Sequence, residues 1–282
     1  MSGNEYIYAF MDRICLHSIT NKPWNLDTLI DKYKASGIPA LTIWEDALEG
    51  YGARKAGEML AGAGLTVVSY CRGGFFPDLD AAKRSQYIDR NKRMIEEASL
   101  LGAPHLVLVC GADPGQSLRH SRDQIRSGIE AILPFAADQG VKLAIEPLHP
   151  MYADTRSAIN TLSAANDLAE DFDTEWVGVA IDVYHLWWDP QLQEEILRCG
   201  SKGNILAFHI SDWNVPTKDL LLDREIMGRG CIPVAEISRW VDEAGFGGFR
   251  EVEIFSNHYW SQDQDAFLQK IVEAYQETYH NI

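Results

Sequence analysis

Two rhythms of apolar residues alternate along the 282-residue chain. Short runs rich in Val, Ile and Leu, whose alternate positions share a face, predict strands at 6–11, 40–45, 65–71 and 105–111. Four more are predicted at 142–147, 177–182, 204–210 and 251–256. Between them apolar residues recur every three or four positions, as in "NLDTLIDKYKAS" and "SRDQIRSGIEAILPFAADQG", and predict amphipathic helices. A last helix is expected near 263–279. Gly37, Gly64, Gly102, Gly140 and Gly245 stand where helices should stop, as residues suited to a left-handed cap before the next strand.

Eight strand–helix units predict an α/β fold, a single (β/α)8 TIM barrel, which typically takes about 250 residues. An open doubly wound sheet would show the same alternation, but no G-x-G-x-x-G or P-loop follows the first strand. No linker or sequence repeat interrupts the pattern, so residues 1–282 read as one domain.

The net charge of −16 repels phosphate backbones and anionic membrane surfaces, and no Lys/Arg cluster offsets it. Nucleic acid and membrane are therefore not expected partners. The five cysteines form no C-x-x-C and no even framework, which suits free thiols in a reducing cytoplasm. The N-terminus lacks a signal-peptide pattern, and no apolar run is long enough to span a bilayer.

Strand ends carry the chemistry. In "VGVAID", Val177, Val179 and Ile181 share one face, while Gly178, Ala180 and Asp182 share the other. Branched residues suit the helix-facing side and small ones the crowded barrel interior, so Asp182 should point into the carboxyl-end mouth where such barrels keep their active sites. His185 follows over the same mouth. The same test places Glu146 with Ala144, His209 with Ala207, and Glu253 with Glu251. Strands five to eight thus each bring one metal-capable side chain to one rim. Taken singly, such an acid can equally be a helix cap or a rim ion pair, and such a histidine a packed core residue. Glu251 can replace Glu253 as the important acid. Together, three carboxylates and an imidazole in a confined hollow call for a divalent cation. Oxygen donors with one nitrogen suit Mn2+, with Mg2+, Co2+ or Zn2+ as alternatives.

The stretches "LAIEPLHP", "VAIDVYHLWWDP", "FHISDW", "DREIMGRGCIP" and "GFGGFREVEIF" resemble the sugar phosphate isomerase/epimerase group with the xylose isomerase-like barrel, which includes ketose 3-epimerases, inosose isomerases and inosose dehydratases. The resemblance implies a divalent metal held by Glu146, Asp182, His209 and Glu253, with Glu146 and Glu253 also acting as the acid/base pair. It implies that His185 and Arg224 contact substrate oxygens, with Gly228 and Gly230 shaping the turn behind Arg224. The epimerases carry a second Glu six residues after the metal-binding one, where this chain has Tyr152, with His149 and Asp154 nearby. His149 is a candidate substrate donor or added base, or else a packed loop histidine.

Such a site supports an isomerase or epimerase acting on a ketose or keto-inositol through an enediolate. A lyase, dehydratase or deglycosidase on a 3-keto sugar or keto-inositol, would share the first proton abstraction. A metal-dependent nuclease on the same barrel would want further histidines and a D-x-H, where this chain reads Asp223-Arg224-Glu225. A non-catalytic barrel would hold no metal. Trp188 and Trp187, and Trp44 and Trp213, can wall a sugar pocket or pack against loops. Arg72, in "YCRGGFFP", can meet a phosphate or carboxylate or else form a rim ion pair. The expected partner is a small sugar or cyclitol, and barrels of this kind can pair as homodimers.

Overall fold

The computed structural model describes residues 11–280. Eight parallel strands close into a barrel: β1 (Ile14–His17), β2 (Ala40–Trp44), β3 (Thr66–Gly74), β4 (His105–Val109), β5 (Lys142–Glu146), β6 (Val177–Asp182), β7 (Ile205–Ile210) and β8 (Arg250–Val252). Closure joins the two ends of the chain, with Ile14 opposite Arg250 and Cys15 opposite Glu251. The main helices outside are α1 (Leu26–Ala35), α2 (Ala53–Ala63), α3 (Ala81–Leu101), α4 (Leu118–Gln139), α5 (Leu162–Phe172), α6 (Leu192–Ser201), α7 (Val234–Glu243) and α8 (Gln264–Tyr279). No helix among the described residues is long and apolar enough to cross a membrane.

The two faces of each strand divide as the alternation requires. Cys71, Val107, Ala144, Ala180 and Ala207 form a small cluster of their own inside the barrel. Leu143, Ile145, Val179, Ile181 and Phe208 belong instead to the large core shared with the helices. An eight-stranded interior has room for little more than small side chains. Gly178 shows how little: a Cβ there would lie 2.5 Å from the Asn204 carbonyl oxygen and 2.6 Å from Leu206 Cγ.

Helix ends follow local chemistry. Asn25, Asp80, Ser117, Thr161 and Asp263 each accept a backbone N–H at the start of a helix. Gly64, Gly102 and Gly140 cap α2, α3 and α4 in the left-handed conformation.

One expected strand falls mostly outside the described residues. Of the stretch 6–11, residues 6–10 lie outside the described residues, and Met11 is helical. The first barrel strand is the four-residue β1 instead.

Candidate active site

Register sets the depth of each site residue. His209 on β7 lies level with Asp182 on β6 and with Glu251 on β8. Glu146 is the last residue of β5, and Glu253 stands one residue beyond β8. Glu146, Asp182, His209 and Glu253 are all buried, and each offers a ligand atom within 4.8 Å of the others. The four residues expected at the rim do converge.

A buried hydrogen-bond and ion-pair network ties them together. His209 Nδ1 is 2.9 Å from Glu146 Oε1. Arg224 Nη1 donates to Asp182 Oδ2 at 3.0 Å and to Glu253 Oε2 at 2.7 Å. The other Asp182 oxygen accepts the Tyr184 N–H at 2.8 Å, capping the short helix Val183–Leu186. Asp182 is therefore both a cap and a member of the cluster. Glu251 lies one level below Glu253, facing Thr42, which donates at 2.5 Å, and His17 Nε2 at 3.4 Å. Glu251 belongs to the supporting layer, and Glu253 to the mouth.

Charge states follow from these contacts. Burial, together with the neighbouring Glu253 and Glu146, lifts Asp182 to about 7 against the pull of Arg224. Burial also disfavours charge on Glu253, but Arg224 and His17 outweigh it and hold that carboxyl well below its ordinary range. For His209, burial is overcome by Glu146 and Glu251, which raise the imidazole to about 10. For His17, burial is overcome by Glu253 and Glu251, up to about 9. His185 goes the other way: burial and Arg224 hold it neutral.

The residues fit a divalent cation. Four buried carboxylates face one buried guanidinium, so neutrality is approached only by protonating groups that are themselves potential ligands, the imidazoles and Asp182. A cation bound there would displace those protons. Competition at His17 points the same way. Its Nδ1 is 3.0 Å from the Trp44 indole N–H, which can only donate, and 3.1 Å from Glu253 Oε1. Protonated, it serves Glu253 and opposes Trp44; neutral, it serves Trp44. A cation on Glu253 would relieve the conflict. His209 Nε2, His17 Nε2 and Glu251 Oε1 are buried without hydrogen-bond partners.

The remaining expected residues divide. Arg224 and His185 join the cluster, His185 Nε2 lying 3.2 Å from Arg224 Nη2 and 3.6 Å from Asp182 Oδ2. Arg224 binds the carboxylates directly and sits between the rings of Tyr184 and Phe255, at 4.2 and 5.3 Å. Its position comes from a two-residue ladder that pairs Asp212–Trp213 with Arg224–Glu225. His149 and Trp188 form a separate tier. The His149 ring stands 5.6 Å from Trp188 and 5.5 Å from Trp213, and its Nδ1 accepts the Met151 N–H. Trp188 Nε1 donates to the His185 carbonyl at 2.8 Å, so it braces the loop that carries His185. Trp187 and Trp213 pack on one another, with Tyr184 stacked on Trp213 at 4.7 Å.

A cavity of about 730 Å3 opens at this end of the barrel, lined in part by Trp44, Cys71, Arg72, Phe75, Arg156 and Phe255. Trp44 thus meets the expectation of a pocket wall. Sequence reasoning missed His17, and a single signal could have found it: in "ICLHS", His17 shares a face with Cys15 at a strand end.

The sequence pattern of the family described as xylose isomerase-like TIM barrel matches residues 30–271. Among solved structures, protein SMc04130 from Sinorhizobium meliloti 1021 is 44% identical, with 95% of this chain and 98% of that chain covered and a TM-score of 0.92. The IolI protein, solved with a zinc atom bound, is 20% identical over 94% of this chain and 97% of its own, with a TM-score of 0.78. D-psicose 3-epimerase from Clostridium cellulolyticum H10, solved with D-tagatose, is 16% identical over 95% and 98%, also with a TM-score of 0.78. At those identities the last two bear on the fold alone. No curated protein matches the chain.

Proposed function

The chain belongs to the xylose isomerase-like TIM barrel family, and on that footing we propose that it is a divalent-metal-dependent isomerase or epimerase of a ketose or keto-inositol. One observation carries this function: four buried side chains from β5, β6, β7 and the end of β8 bring three carboxylates and an imidazole within 4.8 Å. A packed structural core has no use for such a hollow, whereas proton transfer beside a carbonyl requires one. On the same fold, the IolI protein holds a zinc atom and the psicose epimerase a D-tagatose, which gives precedent for a metal and for a sugar in such a barrel.

Glu146, Asp182, His209 and Glu253 would hold the cation, with Mn2+ preferred by the donor set. When bound, it supplies Lewis-acid stabilisation for negative charge developing on the substrate's oxygens.

The chain's own residues do the rest. Glu146 and Glu253 reach the mouth from strands separated by β6 and β7, so they approach a bound ketose from different sides. One carboxylate takes the proton beside the carbonyl, leaving the substrate as an enediolate, and the other returns a proton to the opposite face. Arg224 keeps Glu253 ionised, as an acceptor must be, and fixes its orientation together with that of Asp182. Neutral His185 contacts substrate oxygens beside Arg224, while His149 and Trp188 close the loop side of the mouth.

The test is incubation of Mn2+-loaded protein with ketoses and keto-inositols in D2O, followed by proton NMR. Deuterium incorporation with formation of an epimer or isomer is expected. Loss of water or of an aglycone from the same intermediate would make the protein a lyase, and no exchange into any keto-compound would refute proton transfer altogether.

A further inference from the structure

The cavity at the carboxyl end of the barrel, whose wall residues Trp44 and Phe255 touch His17 and Arg224 of the cluster, contains two guanidinium groups that pair with no carboxylate among the described residues. Arg72 lies near the end of β3 and Arg156 in the segment after β5, and both line the same cavity. Both are half-buried. Other arginines have acidic partners: Arg224 has Asp182 and Glu253, Arg250 has Asp242, and Arg90, on the same cavity, stands 2.6 Å from Glu45. Arg72 and Arg156 make no ion pair and no side-chain hydrogen bond among the described residues. Aromatic faces hold them instead. Arg72 lies 5.5 Å from the Trp44 ring centre and 5.1 Å from that of Phe75, and Arg156 lies 5.3 Å from that of Tyr152.

Such stacking fixes each planar group while leaving its N–H donors uncommitted. Burial lowers both guanidinium groups below their ordinary value, and Arg156 lowers Arg72 further. Holding two like charges near one another, partly desolvated and without a counter-ion, is unfavourable, and the chain's overall charge of −16 offers many acids that could have been placed beside them. Neither pairs with Glu146 or Glu253, yet both share a cavity wall with Trp44 and Phe255, which touch His17 and Arg224, so they adjoin the carboxylate cluster and are distinct from it.

We propose that Arg72 and Arg156 form an anion subsite, and that the substrate carries a phosphate or carboxylate group at a distance from its reacting carbon. This deepens the function proposed above and rests on that assignment of the neighbouring carboxylates. A planar fork on each side suits bidentate recognition of either oxyanion.

Calorimetric titration of the Mn2+-loaded protein with D-ribulose, D-ribulose 5-phosphate and D-fructuronate, whose carboxylate is remote from the ketone, tests it. One of the two anions should bind at least about tenfold more tightly than the neutral ketose, and which one identifies the oxyanion. R72Q and R156Q should each shrink that preference by about tenfold, whereas R72K, which keeps the charge and loses the fork, should retain part of it. Thermal midpoints recorded alongside show that each variant is folded. The subsite is overturned if neither anion binds more tightly than the neutral ketose, or if the preference survives in the R72Q/R156Q protein. Deuterium exchange on the same samples separates the two proposals. Exchange without charge preference removes the subsite and leaves proton transfer standing, while a preference abolished by R72Q in a protein that exchanges nothing does the reverse.

Discussion

Replacing Glu253 by glutamine changes one charge and almost no volume. Glu253 Oε2 accepts from Arg224 at 2.7 Å, and Oε1 faces His17 Nδ1 at 3.1 Å. The amide keeps an oxygen for Arg224, and Arg224 keeps Asp182 at 3.0 Å, so the buried guanidinium is not orphaned. The stability cost is then that of one charged hydrogen bond, about 1.5–3 kcal/mol, rather than the ~3–5 kcal/mol of stranding a buried charge. Activity should suffer far more. Loss of a positioned acid/base typically costs about a hundred- to ten-thousandfold, equivalent to roughly 3–5.5 kcal/mol of barrier. Solvent deuterium exchange measured from each of the two epimers, with metal content and thermal midpoint recorded on the same samples, provides the assay. A folded E253Q protein that keeps its metal and exchanges within about tenfold of the parent would show that Glu253 moves no proton.

Three further outcomes are expected. R224M removes the arginine shared by Asp182 and Glu253, so the metal-free protein should lose about 3–5 kcal/mol. Added Mn2+ should raise its melting temperature more than it raises that of the parent, and equal shifts would contradict a charge balance between Arg224 and the carboxylates. Burial lowers the pKa of His105, so the unfolded chain takes up a proton before the folded one does. Stability should therefore be complete above the ordinary histidine pKa and fall as pH drops below it, by at most about 1.4 kcal/mol per pH unit, until the folded ring also protonates. Urea unfolding of the parent and H105Q across this range should show the variant's stability falling less steeply, by the share of His105, since buried His185 contributes a slope of the same sign in both. G178A, whose Cβ would meet Asn204 and Leu206 inside contact distance, should cost about 1–3 kcal/mol by calorimetry.

Alternation made most of the barrel legible. Where small residues mark one face, as in Gly178, Ala180 and Asp182 on β6, the inward side follows directly, and with it the chemistry at the strand's end. That logic failed at β1 because "YIYAFM" is longer and more aromatic than "ICLH", so β-propensity favoured the wrong segment and hid His17. Between Glu251 and Glu253 the alternation left both facing inward, with Glu253 nearer the carboxyl end. The register of Glu251 with His209, and its contacts to Thr42 and His17, put it in the supporting layer. Arg224 was visible as a candidate, but its grip on two carboxylates depends on how the long loop after β7 folds back, which no local pattern encodes. The same holds for the tryptophans. An indole after a strand can line a cavity, as Trp44 does, or brace a loop, as Trp188 does, and the choice is tertiary.

The seam between β1 and β8 has a consequence for biogenesis. His17 and Glu253 touch across it, although they stand 236 positions apart along the chain, as do the register partners Ile14 and Arg250. Contacts so distant along the polypeptide form late, after the intervening staves have been laid down. A ribosome-bound intermediate therefore has no completed carboxylate–imidazole cluster, and the finished cluster doubles as a record that the cylinder has shut.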